Sequence, residues 1–214
     1  MGTTAPRRAG RPRTAILDRA RITQHAMGVV LESGYESLTM QRLARSLGVS
    51  PSALYNHVSS KNDLLQWIQE TVMDEVDRDC FDTMELGAAL ETWAVSYRSV
   101  FARHVPLIPV IAVLPVADSP NTLTMYERVA RALHEHGVPQ EQIVPIIVAL
   151  ESFIFGSAID TSAPADIFDP GEHQASAQFF SRSLDAQQAT GRRNSDDAFT
   201  IGLRAMITGL LKGR

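Results

Sequence analysis

The chain has 214 residues, of which 44% are hydrophobic, so it is long and apolar enough to bury a substantial core. Its longest apolar stretches, residues 107–116 and 143–150, are shorter than the ~18 residues that cross a bilayer. The single cysteine, Cys80, excludes an internal disulfide, and no apolar segment follows the basic N-terminus as it would in a secretion signal. These features predict a cytoplasmic protein without a membrane partner.

The formal net charge of −4 is unevenly distributed along the chain. Residues 1–61 hold nine lysine and arginine residues against three acidic residues, a net charge of +6. Residues 62–214 hold eleven basic residues against twenty-one acidic ones, a net charge of −10. A basic head on an acidic body favours a protein whose head faces a polyanion such as DNA, with a chance patch of solvated charge as the alternative.

Apolar residues recur at helical spacing, and no alternating run bounded by hairpin turns appears, which predicts an all-α fold. Residues 1–13 form a basic arm without an apolar face, which we expect to be flexible. The cationic side chains of this arm are Arg7, Arg8, Arg11 and Arg13. We predict an N-terminal three-helix helix-turn-helix domain over residues 14–74 and a C-terminal helical domain over residues 75–214.

The helices of the head are predicted from their start and stop residues. The first covers residues 15–33 and ends at Gly34, and the second covers residues 40–47 with Thr39 as N-cap. The third covers residues 51–58, with Ser50 as N-cap and Pro51 in the first helical position. A fourth helix follows, capped by Ser60.

The body is predicted to contain longer helices. An aromatic stripe of Trp93, Tyr97 and Phe101, ending at His104, marks the fifth helix. Prolines interrupt the chain that follows, and the next helix opens at Pro120 and closes before Gly137. Further helices are predicted at residues 140–159 and 197–211, with a short amphipathic piece at 174–184. The polar residues 185–197 between them are expected to be mobile.

Residues 38–58 have the dimensions of a helix-turn-helix, since two short helices are joined by Leu-Gly-Val and the second can enter a major groove roughly 12 Å wide. If Leu54 and Val58 face the core, small or hydrogen-bonding residues make up the outer face of the second helix. These are Ser50, Ser52, Ala53, Tyr55, Asn56 and His57. Such a face suits close approach to base edges and phosphates.

Lys61 gives an independent electrostatic argument. A cation in the first turn of a helix opposes the helix dipole, at a cost of a few tenths to ~1 kcal/mol. A phosphate docked against both the lysine and the helix end would offset that cost. Ordinary solvation of Lys61, and ordinary capping by Thr39, are the alternatives for each residue taken alone.

The pattern A-L-Y-N-H-V-S-S-K-N-D-L-L at residues 53–65 resembles the tetracycline-repressor (TetR) family, and the resemblance extends over about residues 14–73. It implies that Thr39, Tyr55, His57 and Lys61 contact phosphates. It also implies that certain side chains lie nearest the base edges: Gln41, Ser50, Pro51, Ser52 and Asn56, with Arg42 assisting. The arm would follow the backbone or enter the minor groove, as basic arms do elsewhere.

The same resemblance implies that the C-terminal domain is a ligand-binding and dimerisation domain. Apolar stripes and small residues on the two last long helices predict the dimer interface, at Ile147, Leu150, Ile154, Gly202, Met206 and Gly209. Burial of these two helices inside one chain is the alternative. Aromatic and flexible side chains predict a ligand pocket, at Met73, Trp93, Tyr97, Phe101, His104 and Tyr126, although the same spacing is common in a core.

Together these features predict a sequence-specific DNA-binding regulator, a repressor that a small-molecule effector releases from its operator as a homodimer. The alternatives are an architectural DNA-binding protein without a ligand and an enzyme with a DNA-binding head. The sequence has no phosphate-binding loop, nucleophile elbow or metal pair, so neither a cofactor nor catalysis is expected. The family's founding member holds magnesium–tetracycline with a histidine after helix five. Residues 111–114 contain none, so tetracycline is not expected.

Overall fold

The structure is a computed structural model that describes residues 17–212. Within that range every regular element is helical. The α-helices are α1 (Arg19–Ser33), α2 (Met40–Leu47), α3 (Pro51–Tyr55), α4 (Lys61–Asp74), α5 (Cys80–Thr83), α6 (Leu86–Ala102), α7 (Ile108–Ile111), α8 (Pro120–Glu135), α9 (Gln140–Asp160), α10 (Gln178–Gln188) and α11 (Asn194–Lys212). Short 3-10 helices lie at Tyr35–Ser37, Val105–Leu107 and Gly171–His173. The arm residues Arg7, Arg8, Arg11 and Arg13 lie outside the described residues.

Each of the first four helices begins at a side chain that accepts a backbone N–H of the first turn. Asp18 accepts the N–H of Arg21 at 2.9 Å, and the Thr39 hydroxyl accepts that of Arg42 at 3.1 Å. Ser50 and Ser60 do the same at the starts of α3 and α4. Such caps satisfy donors that an isolated helix leaves unpaired, which fixes where each helix starts.

The head is a compact bundle of α1 to α4. Fully buried side chains from each helix meet at its centre, including Ile22, Val30, Leu43, Leu54 and Leu64. Gly48 adopts φ +70°, a left-handed conformation that turns the chain sharply between α2 and α3. The prediction of α3 over residues 51–58 was too long. The helix ends at Tyr55, because the chain turns at Asn56 and His57 before Ser60 begins α4.

The body is built around α6, which packs against α9 and α11, while α8 packs against α9 and α4. Edge-to-face aromatic contacts run along α6 and cross to α9, with Tyr97 5.5 Å from both Trp93 and Phe155. Arg98 ties three helices together by donating to Ser157 on α9 and pairing with Asp196 on α11. The segment expected to be mobile, 185–197, instead contains the end of α10 and the start of α11.

Helix α9 has 21 residues and contains an 18-residue window with a mean hydropathy of 1.8, so by length and composition alone it could cross a membrane. In the structure it is a body helix, and one side packs against α6, α8 and α11. The core helix of a globular domain passes the same test, so the helix is weak evidence for a membrane span.

Candidate nucleic-acid interface and body cavity

The predicted DNA-contacting residues lie at the starts of α2, α3 and α4 and in the turn after α3. Leu54 is fully buried and anchors α3, so the rest of this short helix faces outward. The exposed members are Thr39, Gln41, Arg42, Ser50, Pro51, Ser52, Tyr55, Asn56 and His57. Lys61 is half-buried beside them.

The hydroxyls of Thr39 and Ser50 already accept backbone N–H groups, at 3.1 Å and 3.2 Å. A hydroxyl has one hydrogen to donate as well as its lone pairs. Each therefore keeps a donor for a phosphate oxygen while it caps its own helix. Thr39 can therefore cap α2 and donate to a phosphate at the same time.

Two of the cations have partners within the head. The Arg42 guanidinium donates to the Ser33 hydroxyl at the end of α1, at 2.6 Å. The Lys61 ammonium lies 4.0 Å from the centre of the Tyr35 ring, a favourable cation–π distance. The Tyr35 ring therefore compensates part of the electrostatic cost of Lys61 at the start of α4, and an external anion is not required for that purpose.

A cavity of about 280 Å³ lies in the body between α4, α6, α8 and α9. Its walls are formed by Gln69, Met73, Tyr97, Ile111, Ala112, Leu114, Val116, Thr122, Tyr126, Val148, Glu151, Ser152 and Phe155. Three of these come from the segment 111–114, and they make that wall apolar. A more open hollow lies between residues 160–168 and the end of α10. The cavity is distinguished from it by a carboxylate held between two tyrosines.

That carboxylate belongs to Glu151 on α9. It accepts the hydroxyl of Tyr97 at 2.9 Å and that of Tyr126 at 2.9 Å. Burial raises the pKa of Glu151, and the two tyrosine hydrogen bonds lower it less. Burial and the nearby Glu151 charge likewise raise the pKa of Tyr97 and of Tyr126, so both stay protonated donors.

Of the predicted pocket residues, Met73, Tyr97 and Tyr126 line the cavity, whereas Trp93, Phe101 and His104 do not. The predicted role of these three in a pocket is therefore not matched by this cavity. Trp93 and Phe101 are fully buried one turn to either side of Tyr97. His104 lies beyond the end of α6, where burial lowers its pKa and its Nδ1 atom has no hydrogen-bond partner.

Sequence reasoning missed Glu151, Thr122, Gln69 and Phe155 as cavity residues. A signal for Glu151 was present, because it is the one charged residue in the apolar stretch 143–159. A charge in such a stretch is costly to bury and therefore points to a specific role. The other three carry no comparable mark in the sequence.

Polar contacts join the cavity wall to the head. Gln66 on α4 donates to Asp118 at 3.1 Å, and the buried Ser119 hydroxyl donates to Gln69 at 3.0 Å. The carboxylate of Glu70 accepts the backbone N–H of Asn121 in the first turn of α8, at 3.0 Å and 3.1 Å. Helix α4 therefore holds the N-terminus of α8. The same helix begins at Lys61, one of the predicted phosphate-contacting residues.

The predicted dimer residues fall into two groups. Ile147, Leu150 and Ile154 point into the core of their own protomer, with exposed fractions of 6%, 0% and 0%. Their assignment to the interface was wrong, because they leave no surface for a partner. Gly202 packs against its own Phe153 ring, and Met206 is half-buried, whereas Gly209 is exposed with open space around it.

The opposite face of α9 carries the apolar surface that remains uncovered. Val144 and Ile159 are exposed there, Val148 is exposed although it also lines the cavity, and Ile201 on α11 is 71% exposed. Small exposed residues lie among them, at Ala149, Gly156, Ala198, Ala205 and Gly209. We call this two-helix surface the α9–α11 face.

A short exposed helix on a capped helix-turn-helix, joined to a helical body with a cavity, is the architecture of a DNA-binding protein. Residues 22–68 match the family described as bacterial regulatory proteins, tetR family, and residues 82–213 match the tetracyclin repressor-like C-terminal domain. The chain therefore belongs to the tetR family of bacterial regulatory proteins. It is a DNA-binding transcriptional regulator, as the sequence predicted.

Similar proteins include the HTH-type transcriptional repressor DrrR1 of Streptomyces coeruleorubidus, 28% identical over 72% of this chain and 56% of that protein. The class C tetracycline repressor of Escherichia coli is 26% identical over 92% of both chains. Among solved structures, apo ActR from Streptomyces coelicolor has a TM-score of 0.74 at 27% identity, covering 92% of this chain and 96% of that one. ActR in complex with actinorhodin has a TM-score of 0.74 and 27% identity over 93% of this chain and 99% of its own. These relatives confirm the predicted all-α fold.

Proposed function

We propose that the protein binds a two-fold symmetric operator as a homodimer, through α3 and the surrounding helix ends of each head. A small molecule in the body cavity would release it. The observation that carries this proposal is the short, outward-facing α3, which is anchored by the buried Leu54 while Ser52, Tyr55 and Asn56 are exposed. A helix of this size, free of neighbours on its outer side, fits a major groove.

Within this interface the residues divide by chemistry. Thr39, Tyr55, His57 and Lys61 offer hydroxyl, imidazole and ammonium donors at helix ends, which suits them to phosphate oxygens. The amide of Asn56 offers both a donor and an acceptor, which suits it to a base edge. Gln41, Ser50, Pro51 and Ser52 are exposed at the starts of α2 and α3 and would share that role. Arg42 would first have to leave Ser33.

The arm adds charge to this interface. Five of the nine basic residues in 1–61 lie within the described residues, and the other four belong to the arm. Arg7, Arg8, Arg11 and Arg13 would neutralise further phosphates beside the groove that α3 enters. The proposal therefore places most of the favourable charge at the operator.

Dimerisation is proposed to occur through the α9–α11 face. Its apolar side chains, such as Val144, Ile159 and Ile201, are exposed in the protomer, and exposed apolar surface is typical of interaction sites. A two-fold axis through this face would build a four-helix bundle from both copies of α9 and α11. Small residues such as Gly209 would allow the helices to approach closely.

The cavity is the proposed effector site. It is enclosed by helices from both parts of the chain, since Gln69 and Met73 come from α4 and Thr122 and Tyr126 from α8. A molecule that changes the spacing of these helices would shift the heads through the contacts of Gln66, Gln69 and Glu70 with the start of α8. The related ActR, solved in complex with actinorhodin, supports a small-molecule site in this fold.

The two alternative functions are less well supported. An architectural DNA-binding protein would not need a cavity that contains a half-buried carboxylate. An enzyme would need a reactive constellation, and the described residues contain no group of three or more metal-ligating side chains.

Selection of bound sequences from random DNA tests the proposed operator binding directly. We expect enrichment of one sequence with two-fold symmetry, whose half-sites lie about one helical turn or a multiple of it apart. The Asn56→Ala variant should change the base preference within each half-site. Failure to enrich any sequence, or enrichment of a single unpaired half-site, would contradict the proposal.

A further inference from the structure

The cavity has an unusual charge balance. Glu151 is the one charged side chain among the described residues that line it, and most of the remaining wall is apolar or aromatic. No lysine, arginine or histidine belongs to that lining. A half-buried carboxylate without a cationic partner is costly, and proteins keep such groups where they serve binding or chemistry.

The hydrogen bonds of Glu151 leave part of its accepting capacity free. Tyr97 and Tyr126 have one hydroxyl hydrogen each, and both lie within 3.0 Å of its carboxylate oxygens. A carboxylate has about four acceptor positions, so two donors leave about two unfilled. The tyrosines orient the carboxylate, and a ligand can still donate to it.

Thr122 provides a second, independent observation. Its side chain is 2% exposed and lines the cavity, and its buried hydroxyl oxygen has no hydrogen-bond partner within residues 17–212. It lies one helical turn before Tyr126 on α8, and Tyr126 itself contacts Glu151. Residues four apart share a face of a helix, so Thr122 and the carboxylate face the same part of the cavity.

We infer that the effector is a compact aromatic molecule with a protonated amine, whose N–H groups donate to Glu151 and to the Thr122 hydroxyl. This inference rests on the proposed role of the cavity as the effector site. The ring system would lie against Tyr126, Phe155 and Met73, where aromatic and sulfur contacts favour flat apolar skeletons and aromatic faces attract cations. An anionic ligand would be repelled by the charge of Glu151, and no cationic side chain in the described lining of the cavity would compensate this repulsion. We therefore do not expect an anionic effector.

Three acridines of nearly equal size distinguish a cationic, a neutral and an anionic effector. The cation is 9-aminoacridine, which is protonated near neutral pH. Acridine is largely neutral there, and acridine-9-carboxylate is an anion. Each is titrated into the full-length protein without DNA, by calorimetry. Because hydrogen bonds to a charged group contribute ~1.5–3 kcal/mol, the cation should bind about tenfold or more tightly than the neutral ring. The anion should not bind measurably.

The Glu151→Gln variant keeps an oxygen that both tyrosines can donate to, but removes the charge. We expect it to lose the preference for 9-aminoacridine over acridine, while Thr122→Val should weaken the cation by a smaller factor. Glu127→Gln on the exposed side of α8 is the matched control and should bind all three probes as the unmodified protein does. A cooperative melting transition of each variant shows that the fold is retained.

Equal binding of the cation and the neutral ring, no binding of any probe, or an unchanged preference in Glu151→Gln would each overturn the inference. Operator binding measured without any probe reports separately on the proposed function. A protein that binds its operator but does not discriminate these probes retains the function and loses the cationic effector. A protein that selects 9-aminoacridine but binds no operator retains the ligand chemistry and loses the function.

Discussion

The head and the cavity use their polar groups in opposite environments. In the head, Thr39, Ser50 and Asn56 are exposed at helix ends, where water satisfies them until DNA arrives. In the cavity, Glu151 is half-buried and Thr122 is buried, and the Thr122 hydroxyl has no hydrogen-bond partner among the described residues. Changes in the head should therefore alter DNA binding at little cost to stability, whereas changes in the cavity should alter stability and ligand binding together.

The largest expected effect concerns neither the head nor the cavity but the α9–α11 face, which is the proposed contact between the two protomers. A Cβ added at Gly209 would have no atom of its own protomer within 4 Å beyond the neighbouring backbone, so Gly209→Leu should leave the protomer undisturbed. At a dimer interface the added side chain costs ~1–3 kcal/mol per site, and two-fold symmetry counts it twice. Sedimentation should show loss of the dimer at micromolar concentration, with tight operator binding lost in parallel.

Gly202→Ala is the informative companion. A Cβ at Gly202 would lie 2.5 Å from the Phe153 ring of the same protomer, so this change should lower the melting temperature. A Gly209→Leu protein that remains dimeric and binds normally would show that the α9–α11 face is not the interface.

The second prediction concerns the salt dependence of the head. With several phosphates neutralised in each half-site, operator affinity should fall on the order of a hundredfold between roughly 50 and 200 mM salt. Lys61→Ala should weaken binding to all sequences alike and flatten this slope. Arg131→Ala, which removes an exposed cation from α8, should leave the slope unchanged. A complex insensitive to salt would contradict the assignment of phosphate contacts.

The third prediction tests whether the outer side of α3 and the following turn carry sequence specificity. Asn56→Ala should cost ~1–3 kcal/mol on the selected operator and less on unrelated DNA, because one base-edge contact is lost. Its melting temperature should not change, since Asn56 is exposed. Asn194→Ala, an exposed asparagine in the body, serves as the control. Unchanged selectivity would place specificity in the arm or in DNA shape.

The smallest expected effect is a gain in thermal stability when the charge of Glu151 is removed. The raised pKa of Glu151 means that its ionisation opposes folding, so Glu151→Gln should be the more stable protein near neutral pH. Each kcal/mol gained raises Tm by about 2–4 °C in a chain of this size. Calorimetric melting of both proteins measures the difference.

The pH dependence of this gain has a defined sign. Below the unfolded pKa of a glutamate, both states carry the proton, and the two proteins should melt alike. As the pH rises through the raised folded pKa, the unmodified protein should lose stability relative to Glu151→Gln. Tyr97 and Tyr126, the titratable groups that contact Glu151, have raised pKa values and do not ionise in this range. A difference in Tm between the two proteins that narrows with rising pH would contradict the raised pKa of Glu151.

The sequence predicted the head better than the body, for a physical reason. Caps such as Thr39, Ser50 and Ser60 act within three residues of their own position, so a local pattern contains them completely. The cavity depends on contacts between distant residues, such as Tyr97 with Glu151, which no local pattern records.

Helix α9 shows the limit most clearly. Its inner residues, such as Leu150 and Ile154, and its outer residues, such as Val144 and Val148, are all apolar. Periodicity identifies the helix but gives no contrast between its faces, so the inner stripe was assigned to the interface. On α11, Gly202 packs against its own Phe153 ring, whereas Gly209 is exposed. Its role at a dimer interface remains a prediction.

The start of α8 carries one further consequence. No side chain of its own N-cap residue bonds the first turn, and Glu70 of α4 supplies that bond instead. Any rearrangement that separates α4 from α8 must give up this borrowed cap, and loss of an N-cap costs ~0.5–2 kcal/mol. Coupling free energies between regulatory sites are typically about 1–3 kcal/mol. The Glu70 carboxylate therefore holds α4 against α8 with a free energy comparable to a typical coupling free energy. A ligand that separates these two helices would have to offset the loss of this cap.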